Sequence, residues 1–190
     1  VKPAAVPYSV LWIAGDPDPA EVPLIRAWTR HDVYLSLVSG ARGIVIWSGF
    51  RRAKFNTFDA YLEGYTSAAR ELTGKLGLGQ LFLFGERRSD LQVKVTEGPE
   101  TQTVDYQEAQ HVYPTVSHAD LAYGKERYLF LVNSAAVPVT VSVTGLPVEK
   151  VRLEDLLGGG GAADVTGGKG EGIRLEPYGV KVWRITRPAP

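Results

Sequence analysis

The 190-residue chain has no cysteine and no methionine, has three histidines, and balances 21 basic against 21 acidic side chains. Each shortage removes a class of chemistry. Without cysteine there is no disulfide, thiolate zinc site or cysteine nucleophile. A formal net charge of zero leaves no electrostatic footprint for nucleic acid or an anionic membrane. No apolar run approaches the roughly 18 residues a membrane span needs. P-loop, nucleophile-elbow, HExxH and EF-hand patterns are missing too. His111 and His118, read as lying seven residues apart in a loop, have no carboxylate cluster beside them, so neither a metal site nor a cofactor is expected. The chain opens Val1-Lys2-Pro3, without the methionine that begins a primary translation product and with no signal-peptide pattern, which raises the expectation that a preceding segment has been removed. What is present, 44% hydrophobic and 22% charged residues, is the balance of a globular protein rather than a disordered or collagen-like one.

The texture changes near residue 75. Before it, Val10-Leu11-Trp12-Ile13-Ala14 and Ile44-Val45-Ile46-Trp47 are continuous apolar runs, the pattern of parallel strands covered on both faces. Between them a helix is expected, with Asp18 as N-cap, Pro19 at its first position and Glu21 completing a capping box. Leu24, Ala27, Trp28, His31, Leu35 and Val38 would form its apolar face, and Gly40 its left-handed C-terminal residue. A second helix is expected from Thr57 to Leu72, with Tyr61, Tyr65, Ala68 and Leu72 in one stripe and Gly74 ending it. Strand, helix, strand, helix makes two β/α units. Right-handed crossovers put both helices on one side, so the opposite sheet face and both strand edges are left bare. Something else must cover them.

After Gly79 the expectation is an antiparallel β domain. Its candidate strands are Gln80–Phe84, Leu91–Thr96, Gln102–Tyr106, Tyr128–Asn133, Val137–Thr144, Lys150–Leu153, Ile173–Leu175 and Val180–Thr186. Strict apolar–polar alternation from Val137 to Thr144 marks a strand with one packed face. Gly145-Leu-Pro147 and Glu176-Pro-Tyr-Gly179 are turn signals, and short strands at this spacing suggest a β-sandwich. The Gly158–Gly161 and Gly167-Gly168 runs read as a long hairpin connection.

Three stretches together carry a family likeness: Ser39-Gly-Ala-Arg-Gly-Ile-Val-Ile-Trp-Ser48, Tyr128-Leu-Phe-Leu-Val-Asn133 and Leu175-Glu-Pro-Tyr-Gly-Val180. They resemble the C-terminal end of a retaining (β/α)8-barrel glycoside hydrolase with an appended β-sandwich. The resemblance implies a partial TIM-type barrel in residues 1–75, with Ala5–Gly15 as strand seven and Arg42–Trp47 as strand eight, followed by a β-sandwich in 76–190. It implies a carbohydrate substrate, hydrolysis of glycosidic bonds by paired carboxylates, and an extracytoplasmic setting. Strands one to six would come from elsewhere: the same gene product, a second chain, or further copies in a homo-oligomer. The bare faces argued above are the ones those strands would cover.

Barrel enzymes work at the C-terminal ends of their strands. In the family the nucleophile is usually a Glu ending strand seven, but Trp12-Ile13-Ala14-Gly15-Asp16 holds none, so Asp16 is the nearest carboxylate and the candidate catalytic residue. The competing reading of Asp16 is a turn residue feeding a helix. Trp47 and Trp12 are candidate stacking platforms for a sugar ring, with core packing as the alternative. Arg51 is a candidate grip on sugar hydroxyls or a carboxylate, with a surface ion pair as the alternative. His31 and Asp32 are neighbours on a helix, which argues against a His–Asp catalytic pair, and His31 on the apolar stripe reads as a hydrogen-bonded core histidine. The tyrosines of the β domain are a possible sugar platform or inter-sheet packing. A non-catalytic carbohydrate-binding or scaffold β-sandwich remains the alternative to the hydrolase.

Overall fold

The computed structural model describes residues 7–13, 15–47, 50–158 and 161–186. The chain divides into two compact units, 1–84 and 85–190.

In the first unit, β1 (Tyr8–Trp12) leads through a 3-10 turn (Val22–Leu24) into α1 (Ile25–Val38), then β2 (Gly43–Trp47), α2 (Phe58–Thr73) and α3 (Leu78–Phe84). β1 and β2 pair in parallel, from Tyr8 opposite Gly43 to Trp12 opposite Trp47. Alternation then sorts the side chains. Leu11 and Ile13 are buried, and Ser9 receives a hydrogen bond from Ser36 of α1 at 3.1 Å, so this is the helix-covered face. Tyr8, Val10, Trp12, Val45 and Trp47 point the other way and are 45–65% exposed. The bare face expected from the β/α pattern is present.

Helix α1 starts later than the sequence suggested. Asp18 gives only its backbone carbonyl to Glu21 N–H, at 2.8 Å, and no side chain caps either helical segment. Pro23 explains the delay, because it has no N–H to donate and restricts the residue before it. The buried face is also rotated: Ile25, Thr29, Val33, Tyr34 and Leu37 join His31 and Val38. Two polar members of that face bring their own partners. Thr29 Oγ1 donates to Ile25 O at 2.9 Å, and Tyr34 Oη donates to Glu71 of α2 at 3.0 Å. Burial and the Glu71 charge push the Tyr34 phenol upward. At the other end Gly40 is left-handed, φ +110°, and the Gly40→Leu37 and Ala41→Ser36 bonds close a Schellman motif.

The two helices cross at a glycine. A Cβ on Gly64 would lie 2.3 Å from Thr29 Oγ1, so no larger residue fits without movement. Arg30 and Glu71 add an ion pair across the same contact, with Nε to Oε2 at 3.1 Å.

The second unit is antiparallel. One sheet has the order β11 (Ala162–Val165), β10 (Val151–Asp155), β13 (Val180–Thr186), β8 (Glu126–Asn133), β7 (Val116–Tyr123), β3 (Glu86–Arg88). A second has β12 (Lys169–Leu175), β9 (Val139–Thr144), β4 (Gln92–Glu97), and β5 (Thr101–Tyr106) pairs with β6 (Ala109–Pro114) as a separate hairpin. Leu129 and Leu131 of β8, Val139, Val141 and Val143 of β9, and Leu153, Leu175 and Ile185 share one core. The alternation read along β9 therefore points its valines inward as expected.

Asn133 locks this unit. Its side chain is fully buried; Nδ2 donates to Val137 O and to Glu176 O, and Oδ1 accepts from Ala135 N–H, all at 2.9 Å. Its backbone N–H donates to Gly179 O at 2.9 Å. Two of the stretches that carried the family likeness are thus one physical feature, a strand end and a hairpin turn joined by an asparagine.

Two sequence expectations are corrected. Gln80–Phe84 is helical: Leu78, Leu81 and Phe82 are buried at helical spacing, and a short apolar run does not by itself distinguish strand from helix. His111 and His118 lie on strands β6 and β7 rather than in a loop. The long connection expected through Gly158–Gly161 and Gly167-Gly168 is interrupted by β11: the first run links β10 to β11 and the second lies between β11 and β12, with Gly159 and Gly160 outside the described residues.

Candidate functional site

The first unit gathers its candidate residues where β1 and β2 end. Trp12 and Trp47 face each other across the strand pair, on the bare side of the sheet, with ring centroids 6.4 Å apart and planes 21° from parallel. Both are more than half exposed. Indole rings presented in this way offer a broad apolar surface with polar edges. Phe50, also exposed, follows a few residues after β2.

Asp16 lies just past β1, and its carboxylate is spoken for. Oδ1 accepts from Thr57 N–H at 2.7 Å and from Thr57 Oγ1 at 2.6 Å; Oδ2 accepts from Asn56 N–H at 3.0 Å and Asn56 Nδ2 at 3.1 Å. It thereby caps the start of α2 from a loop some 40 positions upstream, a role no local sequence pattern signals. The Thr57 hydroxyl, then the two backbone N–H groups, pull its pKa down to about 2. Asp16 is therefore ionised at ordinary pH and spends its lone pairs on the protein.

Arg51 pairs with Asp59 on the surface and places its guanidinium 5.5 Å from the Phe58 ring centroid. Its neighbour Arg52 turns inward. Its Nη2 donates to Ile13 O at 2.7 Å, and its guanidinium sits 4.9 Å from the Phe55 ring centroid. The structure thus brings Trp12, Trp47, Asp16 and Arg51 to one end of one unit, and adds Arg52, which the sequence did not separate from Arg51.

His31 is buried, as expected of a hydrogen-bonded core histidine, but its partner is the adjacent residue. Its Nδ1 is 3.1 Å from Asp32 Oδ1, although helix neighbours diverge in direction. Tyr65 Oη donates to the other Asp32 oxygen at 3.3 Å, so Asp32 joins α1 to α2. Burial and that charge raise the Tyr65 phenol.

The second unit carries an independent aromatic surface. On one face of the β5–β6 hairpin, His111 lies 6.4 Å from Tyr106 and stacks on Tyr113 at 6.2 Å, 22° from parallel. Tyr106 and Tyr113 are well exposed. The hairpin tip holds Gln107 and Glu108 both at positive φ, 49° and 64°, where glycine or asparagine is the usual occupant. Tyr128, in contrast, is buried, with burial and its bond to Glu126 pushing its pKa up to about 12.

No family model matches the sequence, and no curated protein matches it. In fold, the chain is similar to glycoside hydrolases of the α-amylase kind. One such structure is the α-amylase of Geobacillus thermoleovorans complexed with acarbose, 10% identical, TM-score 0.51, covering 95% of this chain and 39% of that one. Another is CldA, a cyclomaltodextrin glucanotransferase with a three-domain ABC distribution, 19% identical, TM-score 0.50, covering 94% of this chain and 36% of that one. AmyP in complex with maltose is 14% identical, with TM-score 0.50 and coverage of 92% and 37%. The chain spans little more than a third of the length of these structures.

Proposed function

We propose that this chain is the carboxy-terminal section of a glycoside hydrolase-like barrel protein acting on poly- or oligosaccharides. β1 and β2 are its seventh and eighth barrel strands, and the antiparallel unit is its appended β-sandwich. Most catalytic groups, the general acid included, come from outside this chain. Trp12 and Trp47 form a stacking platform for a sugar ring, and Arg51 and Asp16 lie at its rim.

The observation that carries this reading is the bare face of the β1–β2 sheet. Tyr8, Val10, Trp12, Val45 and Trp47 are contiguous and exposed, opposite a face closed by helices. Patches of large apolar residues on otherwise ordinary surfaces mark places where something docks. In a closed barrel the same positions face the lumen, with the strand-end residues at the mouth. The fold similarity to about a third of much longer glycoside hydrolases supports the same assignment.

Mass measurement under native conditions, paired with turnover of maltooligosaccharides, tests it. The lone chain is expected to turn nothing over. Activity is expected only in an assembly that completes the sheet, whether with a second β/α polypeptide or with further copies. Turnover by the lone monomer sinks the assignment.

The alternative, a non-catalytic carbohydrate-binding module, is favoured by the exposed Tyr106–His111–Tyr113 ladder. It requires the lone chain to bind oligosaccharide, with the affinity lost in Tyr113→Ala and kept in Trp47→Ala. The opposite dependence favours the barrel reading.

A further inference from the structure

We propose that Asp16 and Arg52 are positioning residues that latch the segment leaving β1 onto the segment leaving β2, and that this latch holds the Trp12–Trp47 stack. The proposal rests on the platform role given to those rings above, and assigns to Asp16 a task other than chemistry.

The argument begins where the strand ladder stops. Ile13 N–H donates to Trp47 O at 2.8 Å, the last rung beyond the paired residues. Ile13 O is then taken by Arg52 Nη2, so the residue after Trp12 is held through both of its backbone groups by the β2 side. Three residues further on, Asp16 binds Asn56 and Thr57 through four hydrogen bonds. Both ties reach into the same segment, 52–57, on its way into α2.

That segment is itself anchored. Phe55 is buried, lies edge-on to Phe58 with centroids 5.8 Å apart, and meets Tyr61 at 6.0 Å. Arg52 rests on Phe55, so the donor that grips Ile13 O is fixed by packing rather than waving in solvent. Charge-assisted hydrogen bonds of this kind are stronger than neutral ones and directional. An exposed tryptophan pair has no core around it to set its rotamers. A side-chain stack at strand ends therefore depends on how firmly the backbone beneath it is held, and functional groups depend on such supporting shells.

Exciton-coupled circular dichroism of the full chain reads the geometry directly, because the couplet depends on the distance and angle between the two indoles. Trp12→Phe and Trp47→Phe assign the couplet by abolishing it. Asp16→Ala and Arg52→Ala are expected to reduce it to less than half, and Thr57→Val, which removes only one of the four bonds to Asp16, to reduce it less. Binding of maltotriose, read separately by fluorescence, is expected to weaken about tenfold in Asp16→Ala. A couplet of wild-type amplitude in Asp16→Ala or Arg52→Ala overturns the latch. If Asp16→Ala unfolds α1 and α2, seen by hydrogen exchange, the graded effect of Thr57→Val decides, and no change there overturns it too. A wild-type chain that binds no maltotriose yet loses its couplet in these variants keeps the latch and removes the sugar platform; binding with a latch-independent couplet does the reverse.

Discussion

Replacing Asn133 is the sharpest test of how the antiparallel unit is held. In Asn133→Ala three side-chain hydrogen bonds go. Glu176 O keeps the bond from Gly179 N–H at 2.8 Å, while Val137 O and Ala135 N–H lose the partner that the side chain supplied. A buried group stripped of its partner costs about 1–3 kcal/mol. Two such groups give a loss of about 2–6 kcal/mol, toward the low end because Val137 is itself half exposed. Asn133→Asp keeps the shape but turns a donor into an acceptor facing two carbonyl oxygens. That carboxyl is favoured in its protonated form when folded, so its pKa is raised above the unfolded value of about 3.9. The sign follows: the Asp variant approaches wild-type stability below about pH 4 and loses ground as pH rises through the raised value. Urea unfolding followed by peptide-resolved hydrogen exchange separates this unit from the β/α unit. A loss under about 1 kcal/mol for Asn133→Ala, or an Asp variant whose deficit does not shrink on acidification, refutes the reasoning.

Other outcomes are equally specific. Gly64→Ala forces a methyl to within 2.3 Å of Thr29 Oγ1 and is expected to destabilise the β/α unit by about 1–3 kcal/mol, with part regained in a Thr29→Ala background; calorimetry reads both. Asp16 has a depressed pKa, so the stability it gives is present above its unfolded value of about 3.9 and disappears as pH falls through about 2. The stability difference between wild type and Asp16→Asn should accordingly vanish near pH 2, measured by exchange in α2. Glu71→Gln, which weakens the Arg30 pair and the Tyr34 bond together, should loosen the α1–α2 contact more than Glu63→Gln, whose Arg70 pair is solvent-exposed.

Local patterns carried much of the fold. Gly40 reads as a left-handed helix end because nothing else occupies that conformation as readily, and it is one. The two apolar runs read as parallel strands, and the consequence of having only two, a bare face, follows from that pattern alone. What stayed hidden was non-local. Asp16 finds its partners 40 and 41 positions away, and nothing near it in sequence announces a cap for another helix. Strand β7 escaped because Val116–Tyr123 carries His118 and Asp120 in its middle. Asp120 is buried there through its pair with Arg127, Nε to Oδ1 at 2.8 Å, which the partner strand supplies. Leu81–Phe84 misled by being uniformly apolar, where only three-dimensional packing decides between periods. At the site, the tryptophans and Asp16 were visible by residue type and position, whereas Arg52 differs from Arg51 only in the direction it turns.

Hydrogen exchange on the isolated monomer tests the central claim that β1 and β2 are an open piece of a larger sheet. A two-stranded sheet with one face in water has little holding it beyond α1 and α2, so its amides should open far more readily than those of β8, which is buried along most of its length. Completing the sheet, with a second polypeptide or further copies, should bring β1 and β2 toward the protection of β8. Amides of β1 and β2 protected as strongly as those of β8 in a lone monomer would contradict the account.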